Sequence, residues 1–133
     1  MLETALVFDL NGKTIYWHEP EGRTAGSLPD SDALWDFLWE NRHRLGGVAH
    51  THPWIGAARP SHTDITTFAA IEKALGKHLL WPVVTFNDIL CVVRNPLYSE
   101  GEDMWTGAGP LTFEIEGLDE LRRRSGSTLV PAP

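Results

Sequence analysis

The chain has 133 residues, enough for one domain with a real core and too few for two. Its formal net charge of −7 and pI near 5.2 exclude nucleic acid and anionic membrane as principal partners, since both need a basic face, and suit a partner with a basic face or tail. No apolar run reaches membrane-spanning length, the N-terminus is not signal-like, and the single cysteine, Cys91, sits in the apolar run 89–93, so a cytoplasmic, reduced setting without an internal disulfide is expected.

Thr4 to Leu10 reads as a buried strand, and Asn11-Gly12 is a hairpin signal before a second strand, Lys13 to Trp17. Residues 18–30 mix charges, prolines and glycines without periodicity, which predicts a mobile loop. Ser31 caps a helix predicted from Asp32 to Arg44, with acidic residues early and Arg42, His43 and Arg44 late, as the macrodipole prefers. Its apolar positions Leu34, Trp35, Phe37, Leu38 and Trp39 cover more than one face, so the helix is either deeply packed or offers its tryptophans to a partner. Leu45 to Ala49 reads as a short buried strand leading into His50-Thr51-His52-Pro53, and Ile65 to Leu75 as a helix stopped by Gly76. Leu79 to Phe86 and Ile89 to Arg94 are strands joined by Asn87-Asp88, followed by an acidic, glycine-rich loop from Pro96 to Pro110. Thr112 to Glu116 reads as a last short strand, Leu118 to Arg124 as a helical turn, and Ser125 to Pro133 as a disordered tail. The order hairpin, helix, strand, helix, hairpin predicts an α+β domain over residues 1–124, with a mixed, largely antiparallel sheet flanked by helices.

The stretch from His50 to Asp64 carries the chemistry. Strand side chains alternate faces, so His50 and His52 point the same way and two imidazoles can converge on one ion, with Thr51 turned opposite. Pro53 fixes its φ and lacks an N–H, which ends the strand and opens a loop. Ser61 and Asp64 then bring an oxygen ligand to the first turn of the next helix. His50, His52 and Asp64 are three protein ligands, the number in a catalytic zinc site that keeps a fourth position for water. Ser61-x-x-Asp64 is equally a helix N-cap pattern, with Asp where a capping box usually has Glu or Gln.

His50-x-His52-Pro53, the residues through Pro60, and Ser61-x-x-Asp64 resemble the signature of the JAMM/MPN (JAB-type) zinc metalloproteases, here a small prokaryotic deubiquitinase-like member. The loop between His52 and Ser61 is slightly longer than the family's usual one. The resemblance implies the MPN, cytidine-deaminase-like fold and one zinc ion per chain. It also implies an upstream catalytic glutamate, whose matching place is held by Glu3, with Glu19 and Glu40 as rivals. Glu3 would be the general base for water activated by zinc, and Ser61 a hydrogen-bond donor to the oxyanion. Trp54, directly after His-Pro, is expected to wall the cleft and touch substrate.

The implied reaction is cleavage of the amide bond after the C-terminus of a ubiquitin-like protein, in a conjugate or a precursor. Ubiquitin-activating-like and conjugating-like enzymes would act alongside, and the loop at 18–30 would help hold the ubiquitin-like part. A peptidase for cell-wall or phage-tail peptides, or a non-catalytic metal-binding scaffold, would use the same residues. Amidohydrolase barrels need roughly 250 residues. Metallo-β-lactamase-like sites need Asp and His directly after the second histidine, where Pro53-Trp54 stands.

Overall fold

Alternate side chains along the strands enter two separate cores, one on each face of the sheet that organises this chain. The computed structural model describes residues 1–95, 104–109 and 113–130. Strands β1 (Ala5–Asp9) and β2 (Thr14–His18) form the expected hairpin. Its turn is shaped by the Asp9 carboxylate, which accepts the Asn11 and Lys13 N–H groups at 2.8 and 3.0 Å, and by Gly12 at φ +83°. Helix α1 (Asp32–Glu40) is followed by β3 (Leu45–Thr51), α2 (His62–Leu75), β4 (Trp81–Val84), β5 (Ile89–Arg94), β6 (Trp105–Gly107) and α3 (Leu118–Arg124). The strand order is β2-β1-β3-β4-β5-β6, with β3 and β4 parallel and every other neighbouring pair antiparallel. The architecture is therefore α+β, with a mixed, open sheet and, among the described residues, three helices. No helix of the described residues is long and apolar enough to cross a membrane.

On one face, Ala5, Val7, Val48, Trp81 and Val83 pack against Leu34 and Leu38 of α1 and Phe68 and Ile71 of α2. On the other, Leu6, Phe8, Ala49 and Val84 pack against Leu121 of α3 and Ile115. Gly47 allows close strand approach, since a Cβ there would lie 2.0 Å from the Leu80 carbonyl oxygen. Gly76 ends α2 at φ +67°, as expected of a left-handed cap.

Four expectations are corrected. Helix α1 stops at Glu40 rather than Arg44, because the Asn41 backbone and side-chain amides donate to the Phe37 carbonyl at 3.0 and 2.8 Å and close the last turn. Arg42 lies beyond it, bonded to the Trp39 carbonyl and stacked on the half-exposed Trp39 ring, whereas Trp35 packs against the core. Phe113 to Glu116 is not a strand, since Glu116 bonds singly to Gly12 and Thr14 instead of joining a ladder; Thr112 lies outside the described residues. Within the expected loop from Pro96 to Pro110, Trp105–Gly107 instead pairs with β5 as an edge strand, and residues 96–103 and 110 lie outside the described residues. The tail does not fray from Ser125: Ser125 and Ser127 are buried, and Ser125 accepts the Leu2 N–H at 3.1 Å. Residues 131–133 lie outside the described residues.

Candidate metal centre

The site forms where β3 ends and the chain crosses over to its parallel neighbour, at the carboxyl ends of the strands where open sheets with helical crossovers commonly bind ligands. His50 is the penultimate residue of β3, and His52 follows it in extended backbone, its N–H donating to the Val84 carbonyl at 2.9 Å. Both imidazoles are buried on one face, as alternation predicts. Thr51 turns to the other face, where its hydroxyl receives the Thr4 N–H at 2.9 Å and meets the Ser125 hydroxyl at 2.6 Å.

Pro53 to Pro60 leaves the sheet and is tied to the β4–β5 turn. Asn87 and Asp88 carboxamide and carboxylate oxygens accept the Gly56 and Ala58 N–H groups, both at 2.8 Å, and Phe86 N–H donates to the Trp54 carbonyl at 2.9 Å. Arg122 of α3 fastens that turn through the Thr85 and Asp88 carbonyls. The loop therefore delivers Ser61 to the start of α2 in a fixed position. Ser61 Oγ accepts the Asp64 N–H at 3.0 Å and Asp64 Oδ2 accepts the Ser61 N–H at 2.8 Å, which completes a capping box.

The same Asp64 oxygen also faces the histidines. Oδ2 lies 3.1 Å from His50 Nε2 and 3.0 Å from His52 Nε2, and the two Nε2 atoms are 3.3 Å apart. Asp64 thus caps α2 and faces the two histidines with the same oxygen. Burial raises the Asp64 carboxyl's proton affinity, but hydrogen bonds from His50 and His52, the His50 charge and the Ser61 N–H together outweigh it and hold this group well below the usual carboxylate range.

Glu3 precedes β1 by two positions and therefore shares the face of Ala5, which pairs with His50. It is buried rather than frayed, at 7% exposure. Three contacts fix it: its N–H donates to the Thr24 carbonyl at 2.8 Å, Arg23 donates to its carbonyl at 3.3 Å, and the next residue is held by Thr51. Glu3 Oε1 lies 3.9 Å from His52 Nε2. Burial pushes its pKa above the ordinary value, an effect opposed by His50 and His52 and reinforced by Asp64.

Glu3, His50 and His52 form a buried cluster whose ligand atoms lie within 4.8 Å of one another and could hold a metal ion. Two donor trios thus share the histidines, one completed by Glu3 and the other by Asp64. The second is the tighter, with no edge above 3.3 Å. The three contacts among the two imidazole nitrogens and the carboxylate oxygen cannot all be hydrogen bonds at once, because each ring nitrogen either donates once or presents a lone pair. A cation between them satisfies all three.

The Trp54 ring stacks on His52 with centroids 4.8 Å apart and is 46% exposed, so it stands at the rim beside the cluster. Glu19 pairs instead with Arg23 and Arg124, and Glu40 lies on the far end of α1. Two buried groups escaped sequence reasoning. His18 shares its cross-strand row with Ala5 and His50 and donates from Nε2 to the Pro29 carbonyl at 2.7 Å; the pairing of its strand was the available signal. Glu72 accepts from Trp81 Nε1 at 2.8 Å and Leu79 N–H at 3.0 Å. Trp81 stacks on Phe68, whose edge abuts the His50 ring, so Glu72 supports the site from a distance through two aromatic contacts. No family model and no curated protein matches this chain.

Proposed function

We propose that the chain is a zinc-dependent peptidase of the JAMM/MPN kind, acting on the amide bond that follows the C-terminus of a ubiquitin-like protein. One observation carries the reading. The triangle of His50 Nε2, His52 Nε2 and Asp64 Oδ2 has edges of 3.0, 3.1 and 3.3 Å, close to the roughly 3.3 Å edges of a tetrahedron with metal–ligand bonds of about 2.0–2.1 Å. His50, His52 and Asp64 would hold the ion. Glu3, whose Oε1 is 3.9 Å from His52 Nε2, stands outside the triangle and beside it, where a carboxylate could reach a water bound to the ion.

Zinc bound there would supply Lewis acidity and bring the pKa of water towards about 7. Glu3 takes a proton from the attacking water and returns it to the leaving amine. A carboxylate held in place beside the water can serve in turn as base and acid. Ser61 Oγ already accepts the Asp64 N–H, which leaves its own hydrogen to donate to the developing oxyanion. Trp54 packs against the substrate chain at the rim.

The ubiquitin-like substrate, and the activating-like and conjugating-like enzymes that would act with it, rest on the motif's resemblance. Residues 19–30, packed against Glu3 through Arg23 and Thr24, offer one wall for such a module. The test compares kcat/KM on a folded ubiquitin-like precursor carrying a short C-terminal extension with that on the isolated tail peptide. A clear advantage for the folded substrate supports the reading, because remote binding energy is spent on positioning the bond. Equal values would remove the ubiquitin-like substrate and favour a general or cell-wall peptidase.

A further inference from the structure

A cavity of about 360 Å³ opens between the metal centre and the core. Glu3, His50 and Asp64 line it, so it is continuous with the site, while the exposed Ser27, Asp30 and Ser61 stand at its rim and the buried His18 lines it from within. From there it follows α2 inward past Thr67 and Phe68 to Ile71, and it is floored by Leu34, Val48 and Trp81. Asp64 to Ile71 covers roughly 10 Å along a helix at about 1.5 Å per residue. Polarity falls along that descent, from Thr63 and Asp64 at the first turn to an isoleucine two turns deeper.

Protein interiors are close-packed and hold few large voids. A cavity of about 150 Å³ already accommodates benzene, and this one is more than twice that volume. Polar groups line part of it, His18, Ser27 and Asp30 among them, but a guest side chain lying against Leu34, Val48, Phe68 and Ile71 meets no polar partner there, and a charged one would be stripped of water. Resting on the peptidase reading, we infer that a residue flanking the scissile bond is bulky and apolar, of the phenylalanine, tryptophan or leucine class, and that its side chain enters this cavity. The pocket makes the enzyme selective for that side chain and discriminates against glycine or alanine there.

Thr67 lies on the wall, half-buried and outside the catalytic group, so Thr67→Phe fills the cavity; Thr67→Leu is the milder variant should the first fail to fold. Methyl NMR of metal-free and zinc-loaded protein is titrated with N-acetylphenylalanine amide and N-acetylglycine amide. The phenyl probe alone is expected to shift the Leu34, Val48 and Ile71 methyls, and the filling variant to abolish the shifts. Unmoved methyls, or equal shifts in the filled variant, overturn the inference. In parallel, peptides varied on each side of the bond should show at least about a ten-fold kcat/KM preference for a bulky apolar residue at one position. The filled variant should lose that preference, its kcat/KM for the bulky peptide falling to the level of its kcat/KM for the glycine and alanine peptides. Cleavage without preference overturns the pocket's role and leaves the peptidase reading intact. Phenyl-probe binding with no cleavage of any substrate overturns the peptidase reading and leaves the apolar guest site standing.

Discussion

Thr51→Val tests whether Glu3 is positioned by the fold or merely lies near the cluster. The Thr51 hydroxyl is buried beneath the first strand, where it is the hydrogen-bond acceptor of the Thr4 N–H at 2.9 Å and lies 2.6 Å from the Ser125 hydroxyl. Valine keeps the branched shape and removes the oxygen. Ser125 keeps its bond to the Leu121 carbonyl at 2.9 Å, so the main casualty is the Thr4 N–H, left buried without its acceptor. An orphaned buried donor costs about 1–3 kcal/mol. For a domain of this size, that is a fall in Tm of roughly 3–10 °C. Calorimetry measures the fall, and amide hydrogen exchange at Thr4 and Glu3 locates it. A Tm within about 1 °C of wild type, with Thr4 still protected, would show that the hydroxyl network does not anchor the N-terminal segment.

Glu3→Gln should retain metal and fold while kcat falls by about 10²–10⁴, the contribution of a general base; near wild-type turnover, with loss instead in Glu19→Gln or Glu40→Gln, would move the role. Ser61→Ala should lower stability by about 1 kcal/mol through loss of the cap and reduce kcat by roughly 10²–10³ through loss of the oxyanion donor; an effect on stability alone would leave Ser61 as a cap. Removing zinc with a chelator should lower Tm, and restoring it to about 100 times Kd should return roughly 2.7 kcal/mol, an increment that Asp64→Ala should lack. His18 has its pKa lowered by burial, offset by its bond to the Pro29 carbonyl and by Asp30. The unfolded chain therefore takes up this proton first, and stability present above about pH 6.5 is lost as pH falls through the folded value. Denaturant titrations of wild type and His18→Gln across that window should show a shallower pH slope in the variant, and identical slopes would remove His18 as the cause.

Much of the site was legible because its rules are local. Alternation put His50 and His52 on one face, Pro53 ended the strand, and Ser61 with Asp64 announced a helix start. That Asp64 both caps α2 and faces the histidines needed the loop from Pro53 to Pro60 to be fixed, and its anchors, Asn87, Asp88 and Arg122, lie far along the chain. Trp105–Gly107 is too short for a period to show and is a strand only because β5 offers it an edge. Ser125 looked like the start of a polar tail; its burial depends on Thr51 and Leu2, which no local pattern connects to it. Glu72 resembles any solvent-facing helical glutamate until Trp81 Nε1 arrives from the next strand. Arg42 and Arg44 were read into α1 from their charge, whereas Asn41 had already ended the helix.

The central claim is that His50, His52 and Asp64 hold one zinc ion. Elemental analysis of the purified protein, beside the His50→Ala/His52→Ala double variant, tests it most directly. The account predicts one equivalent of zinc in wild type and none in the double variant, with circular dichroism confirming that both are folded. Stoichiometric zinc in the double variant, a different metal in wild type such as the iron that two histidines and a carboxylate also suit, or no metal in protein refolded with zinc, would contradict it.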